Sequence, residues 1–574
     1  MKKRLIALFL LLCLLFPLAS CNVGKEIETP SVNGNGEQII PNPTVSATSP
    51  RVTIKDTCVY LFVGSTHQLR YDLDSAGATD DVITWYSSTG CVSVSDGLVT
   101  AKKEGYAYVS ANGGNECLIC IIPKNMPTLS VDTNNHPVNS KDTYTTCTVS
   151  LDTDNSNFCF TNASAGIRLR GNSTAGYDKK PYRLRFDTKR NLLGMNGGNE
   201  FRSWVLLAEW LDDSLLRNSI SLTLGSMMLG EYSSDWRYVS LHLNEKFVGV
   251  YLLCEQSQIN ENRINIEEAG LTSTALTSGY LFEVDASTRY DSNSMFRIYH
   301  SDYDIVNLDG EKYTWTCNDS NEMLQYISLK NDGYSNDQLL FTKFYLRSVF
   351  DIIYNATYNN KAYVFKYDFL AEPNKAKAFL TVCKTAGNFK AGLVETDAIT
   401  PREAIEKVID VDSWARMYIF SETVCNNDDL KKSFYLWVDF SENGSGKLTL
   451  GCPWDHDGAF VAWPGNDKNY NYRNTEEYFA AKRNPWYVMI MCNPWFVEVV
   501  KAHWQELYDK NNGYESVIEL IPQISDTYGK SFDQEYAAWP FWRTNDRLAE
   551  TQKTQNWLCS RILWMNSEFG AAEE

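Results

Sequence analysis

Two short acidic stretches in the last third of the chain carry the residue types that could do chemistry. Cys452-Pro453-Trp454-Asp455-His456-Asp457-Gly458 sets two carboxylates one residue apart, just after the apolar strand-like run Lys447 to Leu450. Carboxylates at a strand end are hard oxygen ligands suited to Mg²⁺ or Ca²⁺. Upstream, Asn426-Asn427-Asp428-Asp429 closes a helix-like segment, and Lys432-Ser433-Phe434-Tyr435-Leu436-Trp437 leads into an aromatic strand. Asp and Asn are common in solvated turns, so either cluster alone reads as an ordinary turn. The ordered pair, an acidic turn, a hairpin and a second acidic turn, suggests one carboxylate holding a cation beside another that handles a proton.

The elements that would position these residues lie behind an export signal. Lys2, Lys3 and Arg4 precede an apolar core from Leu5 to Pro17, too short for a stable membrane span, which ends in Leu18-Ala19-Ser20-Cys21. That ending resembles the bacterial lipobox, so Cys21 is the expected lipidation site and the new N-terminus. Acyl chains there would hold the protein extracytoplasmically on the bacterial membrane. Loss of Lys2, Lys3 and Arg4 takes the formal charge from −18 to −21. Such acidity argues against nucleic-acid binding and against attraction to anionic lipid. Beyond Cys13 and Cys21 the remaining cysteines are irregularly spaced. The Cys117-Leu118-Ile119-Cys120 pair lies in an apolar strand with no second pair beside it, which does not make a zinc site.

Residues 22–50 read as a flexible linker rich in Pro, Asn, Gly, Ser and Thr. Residues 51–123 alternate short strands with polar turns, as in Val52-Thr53-Ile54, Val82-Ile83-Thr84-Trp85-Tyr86 and Val92-Ser93-Val94. This pattern predicts a small all-β sandwich. The order Trp85-Tyr86-Ser87-Ser88, Val92-Ser93-Val94-Ser95-Asp96-Gly97-Leu98-Val99-Thr100-Ala101 and Gly105-Tyr106-Ala107 resembles the bacterial immunoglobulin-like group 2 module, which implies a spacer or adhesive stalk and a possible surface ligand. Residues 124–572 exceed the ~250–300 residues of a usual single core, so two lobes are expected. The first should be strand-rich. The second should be helical, with helices over Asp412 to Cys425, capped by Asp410 or Asp412, and over Trp495 to Tyr508.

Across 124–572 an ordered set of landmarks resembles the CotH kinase family: Ile167-Arg168-Leu169-Arg170-Gly171-Asn172-Ser173-Thr174, Lys179-Lys180-Pro181-Tyr182-Arg183-Leu184-Arg185-Phe186, Trp204 to Ala208, Asp212 to Asn218, Gly249 to Gln256, Gly279 to Glu283, and the two acidic turns. The resemblance implies an all-β immunoglobulin-like sandwich followed by a two-lobed α+β atypical protein-kinase-like domain. It implies phosphoryl transfer from ATP, with Mg²⁺ or Mn²⁺, to a protein Ser or Thr. Asp428, or alternatively Asp429, would orient the acceptor hydroxyl. Asp455 would ligate the metal, with Asp457 as a second ligand. Gly171, Asn172 and Ser173 would bring backbone N–H groups to phosphate oxygens. Lys180, with Lys179 as the fallback, would meet those phosphates, held by Glu255. The Gly279 to Glu283 strand would contact adenine through its backbone. Asp212 and Asp213 read more simply as a helix start. A kinase loop carries a metal-binding Asn five residues after its catalytic Asp, and here that position is Ser433, a weaker ligand. The alternative reading is a non-catalytic surface adhesion protein on the same scaffold.

Overall fold

The computed structural model describes residues 40, 49–76, 82–171, 174–285, 290–314, 323–369, 371–428, 432–460, 474–540 and 546–571. Cys21 and the rest of the proposed signal, most of the linker, and Asn172, Ser173 and Asp429 lie outside them. Among the described residues no helix is long and apolar enough to cross a membrane.

The expected sandwich is present. One sheet orders Cys58–Phe62, Cys117–Ile122, Gly105–Ala111 and Trp85–Ser87, and the facing sheet orders Thr66–Gln68, Leu98–Ala101 and Val92–Ser95. Strand residues alternate faces, so Val59, Leu61, Ile119 and Ile121 fill the sandwich core. Cys58, Tyr60, Phe62, Cys120 and Ile122 point the other way and join the main core of the chain. A strand buried on both faces reads as a continuous apolar run, as in Cys58-Val59-Tyr60-Leu61-Phe62.

That second face packs on later parts of the chain. The Tyr60 ring stacks on Trp236 at 5.4 Å, and Phe62 meets Tyr528 edge-on at 5.6 Å. The Tyr60 hydroxyl donates to Asp235 Oδ1 at 3.1 Å, and Arg237 and the Trp236 N–H donate to the same oxygen. Tyr528 donates to the Pro123 carbonyl at 2.6 Å. The module is therefore built into the body of the protein, not strung ahead of it as a separate stalk.

The remaining chain has two halves. The first is a closed seven-stranded barrel in the order Thr128–Asp132, Thr145–Asp152, Phe160–Leu169, Tyr182–Arg190, Phe201–Leu207, Lys246–Glu255 and Trp236–Leu243. Leu169, Leu184, Trp204, Leu206, Tyr251 and Leu253 fill its interior. The second half is an antiparallel sheet in the order Met295–Tyr299, Leu324–Leu329, Gly279–Asp285, Phe434–Asp439 and Thr449–Leu450, packed on helices. Two helices fall close to their expected places, at Val411–Val424 and Pro494–Lys510. Asp410 caps the first, its carboxylate accepting from the Ser413 N–H at 2.9 Å. No Asp caps the helix Arg217–Met228, yet buried Asp212 accepts from the Arg217 N–H at 2.8 Å and pairs with its guanidinium, so it is a structural residue at that helix start.

Candidate active site

The two acidic turns meet. The helix Val411–Val424 is fixed near its end by Glu422, fully buried, which binds Arg561 at 2.7 Å and accepts from the Ala480 N–H at 2.9 Å. Cys425 then turns left-handed, with φ +47°, and releases the chain into Asn426-Asn427-Asp428. The Phe460 N–H donates to the Val424 carbonyl at 2.9 Å, which pins the end of the second acidic turn to the same helix end. Buried Asn426 donates to the Asp455 carbonyl at 3.1 Å and accepts from the Asp428 N–H at 3.4 Å. Asp455 itself is left-handed, with φ +63°.

Within this frame Lys432 pairs with Asp428 Oδ2 at 3.0 Å. Burial opposes the lysine charge, but Asp428, Asp455 and Asp457 together raise its pKa above the ordinary range. Ser433 donates to Asp455 Oδ2 at 3.1 Å. Asp457 is pushed well above the usual carboxylate range by burial first, then by Asp455, Asp428 and Glu209, with Lys432 opposing. Glu209 accepts two hydrogen bonds from the Asn218 amide, at 3.1 and 3.2 Å, and Asn218 Oδ1 accepts from the His456 N–H at 2.7 Å. Sequence reasoning missed Glu209, Asn218 and Lys432. Asn218 stood at the end of one landmark, and Glu209 came directly after Ala208 in another.

Four carboxylates therefore share a region with one lysine. Among the described residues no three acidic, thiol or imidazole groups are gathered into a ready-made metal cage. The donor set nevertheless fits a hard divalent cation. Its oxygens carry surplus negative charge, and the raised Asp457 pKa reflects burial first and then repulsion from Asp455, Asp428 and Glu209, which a cation would relieve.

The phosphate-side residues are placed differently from expectation. Gly171 is left-handed, at φ +85°, a backbone conformation that L side chains rarely adopt, so glycine is favoured at that position. Lys180 donates to the Ala175 carbonyl at 3.2 Å. It does not pair with Glu255, which binds Arg263 at 3.1 Å, Asn196 at 2.7 Å and the Asp235 N–H at 3.0 Å. Strand register explains the correction. Tyr182 lies opposite Leu206, whereas Glu255 lies opposite Trp204. Lys180 thus sits about 13 Å from Glu255 along the shared strand at ~3.3 Å per residue. Lys179, the fallback, is buried against Glu535 at 2.8 Å and is structural. Strand Gly279–Asp285 is also corrected. It pairs with Phe434–Asp439 on one side, and on the other with Leu324–Leu329 from Phe282 onward, while Asn331 donates to the Gly279 carbonyl at 2.9 Å and accepts from the Leu281 N–H at 3.1 Å, so its backbone has no free edge for a base. Glu283 instead shares Lys330 with Asp285, at 2.5 and 2.9 Å.

One residue outside the expected set links the barrel to the acidic centre. Arg170, at the end of the strand Phe160–Leu169, lays its guanidinium over Trp454 at 5.0 Å, next to Asp455.

Family models decide the affiliation. The model described as CotH kinase protein matches residues 167–352 and 383–565, more than half of the chain, and takes in the end of the strand Phe160–Leu169, the barrel strands after it, both acidic turns and Arg561. The chain belongs to the CotH kinase family. A second model, the bacterial Ig-like domain (group 2), matches residues 49–116. No curated protein matches the chain. In this CotH kinase family member the matched segments contain every proposed site residue other than Cys21.

Proposed function

We propose that this CotH family member is an exported, lipid-anchored atypical kinase that transfers phosphate from Mg-ATP to a protein Ser or Thr. The observation that carries this reading is Lys432 held among Asp428, Asp455 and Asp457. Phosphoryl transfer needs positioning and charge neutralisation more than covalent help, and this cluster offers both. Asp455 and Asp457, with Ser433 beside them, are the residues that would hold the cation, and Glu209 completes the negative surroundings. The bound cation would supply charge neutralisation of the nucleotide phosphates.

Asp428 is the group for the acceptor hydroxyl. Lys432 at 3.0 Å orients its carboxylate, ready to accept a hydrogen bond. Arg170 and Lys180 are cations at the barrel rim, suited to phosphate oxygens. Left-handed Gly171, next to Arg170, has no side chain to hinder close backbone approach. Export and anchoring rest on the Lys2 to Cys21 sequence.

The test separates two carboxylates in the full chain. Mg²⁺ is titrated at fixed ATP with thermal stability as readout, then phosphate transfer to casein is measured at saturating metal. Asp455→Asn should lose the metal-dependent stabilisation. Asp428→Asn should keep it and lower transfer by about 10²–10⁴. Transfer retained in Asp428→Asn, or no ATP-dependent stabilisation of the wild type, would overturn the reading.

A further inference from the structure

The outer face of the barrel carries a second feature that the acidic centre does not use. A groove of about 230 Å³ is lined by Arg183, Arg185, Lys189, Arg202 and Arg263, with Phe201 and Ile259 as apolar floor and Asp332 as its one acid. Arg263 is committed to Glu255. Among the described residues the other four cations have no carboxylate within ion-pair distance, and Arg183 Nε is buried without a hydrogen-bond partner. Arg183 is held below the usual arginine range, first by burial and then by neighbouring Arg168 and Arg185, with Tyr144 and Asp332 opposing only in part. Unneutralised, crowded cations are costly, and they are out of character on a chain of formal charge −18.

We infer that this groove docks an acidic peptide segment, whose carboxylates neutralise Arg183, Arg185, Lys189 and Arg202. Strand geometry sets its distance from the acidic centre. Arg170 touches Trp454 and donates its N–H to the Pro181 carbonyl at 3.1 Å, at the head of the strand that carries Arg183 and Arg185. The groove therefore begins roughly 15–20 Å from Asp455, a span of roughly five or six residues of extended chain. A Ser or Thr at Asp428 would present an acidic cluster at that remove to the groove. A nucleotide whose phosphates lie at Asp455 would leave these cations unmatched, which favours a peptide as occupant. The substrate class named here rests on the proposed phosphoryl transfer, whereas the binding itself does not.

The experiment uses fluorescent peptides with a central Ser and four Asp or Glu residues starting five residues away on each side. Control peptides carry Asn and Gln at those positions. Anisotropy without nucleotide should show salt-sensitive binding of the acidic peptide only. Arg185→Gln/Lys189→Gln/Arg202→Gln alters exposed side chains, so its fold should hold, as circular dichroism would verify. It should weaken acidic-peptide binding roughly tenfold or more and raise KM for that peptide while leaving kcat and ATP-dependent stabilisation unchanged. Equal binding of both peptides, undiminished binding by the variant, or competitive displacement of the peptide by ATP would overturn the inference. The last result would assign the groove to nucleotide phosphates. Charge-dependent binding with no phosphate transfer in the wild type would remove the kinase reading and leave the docking groove standing.

Discussion

Tyr60→Ala tests whether the immunoglobulin-like module and the barrel behave as one body. Tyr60 is almost fully buried and stacks on Trp236 at 5.4 Å with nearly parallel rings. Truncating a buried aromatic side chain to Ala costs about 3–5 kcal/mol. Tyr60→Phe keeps the ring and removes only the hydroxyl bond to Asp235. Asp235 Oδ1 still accepts from Arg237 at 2.8 Å and from the Trp236 N–H at 2.7 Å, so that change should cost about 0.5–1.5 kcal/mol. Leu98→Ala, at a side chain 42 % exposed, serves as the control and should stay within about 0.5 kcal/mol. A chain with several cores does not guarantee two-state unfolding, so the assay is native-state hydrogen exchange, which reads local opening. In Tyr60→Ala, protection should fall by roughly 10²–10⁴ at one and the same set of amides on both sides, in Cys58–Phe62 and in Trp236–Leu243. Loss confined to the module, with Trp236–Leu243 protected as in the wild type, would refute the single-body reasoning.

His300 is buried between Phe350 and Tyr313, and burial lowers its pKa to about 3. Its depressed pKa means that the unfolded chain takes up a proton which the folded protein refuses. Stability is full above the ordinary histidine pKa of 6.5 and falls by up to about 1.4 kcal/mol per pH unit as pH drops toward 3. His300→Phe should remove that slope from denaturation curves taken between about pH 6 and pH 4, and an unchanged slope would count against a neutral buried imidazole. The neighbouring lysines should divide cleanly: Lys179→Met removes one partner of a buried pair and should cost about 3–5 kcal/mol, whereas Lys180→Ala should leave stability nearly unchanged and weaken ATP-dependent stabilisation. Reversed effects would exchange their roles. Cys21→Ala should abolish lipid labelling and release the protein from the membrane fraction, and continued membrane association would remove the proposed anchor.

The parts of the site written as contiguous residues were legible in the sequence. Both acidic turns, the Asp410-capped helix and the alternating strands of the sandwich depend on local spacing, and local spacing survives folding. What depended on register was not legible. The order of the motifs pairs Lys180 with Glu255, but strand offset separates them and gives Glu255 to Arg263, a residue that carried no signal of its own. The strand Gly279–Asp285 is rich enough in apolar residues to be read as a core strand or as an edge, and only the sheet order settles its central place. Lys432 stood in plain view beside Asp428, but its partners Asp455 and Asp457 lie beyond a hairpin, so its role arises from tertiary contact. The doubly buried strands Cys58–Phe62 and Cys117–Ile122 did have a signal in their unbroken apolar runs.

The contact between Phe62 and Tyr528 also imposes an order on biosynthesis. Pro123, just past the module, and Tyr528, which covers it, are 405 residues apart in the chain. A ribosome adding ~5–20 residues per second needs roughly 20–80 s to make that interval. For that time the outward face of Cys58, Tyr60, Phe62, Cys120 and Ile122 exists without its final cover. A module able to form its own sandwich core early can set Tyr60 against Trp236 partway through, but it carries Phe62 without Tyr528 until almost the last helices emerge. The nascent chain is thus a natural client for a holding chaperone, and truncation before Tyr528 should yield aggregates, not a stable amino-terminal fragment.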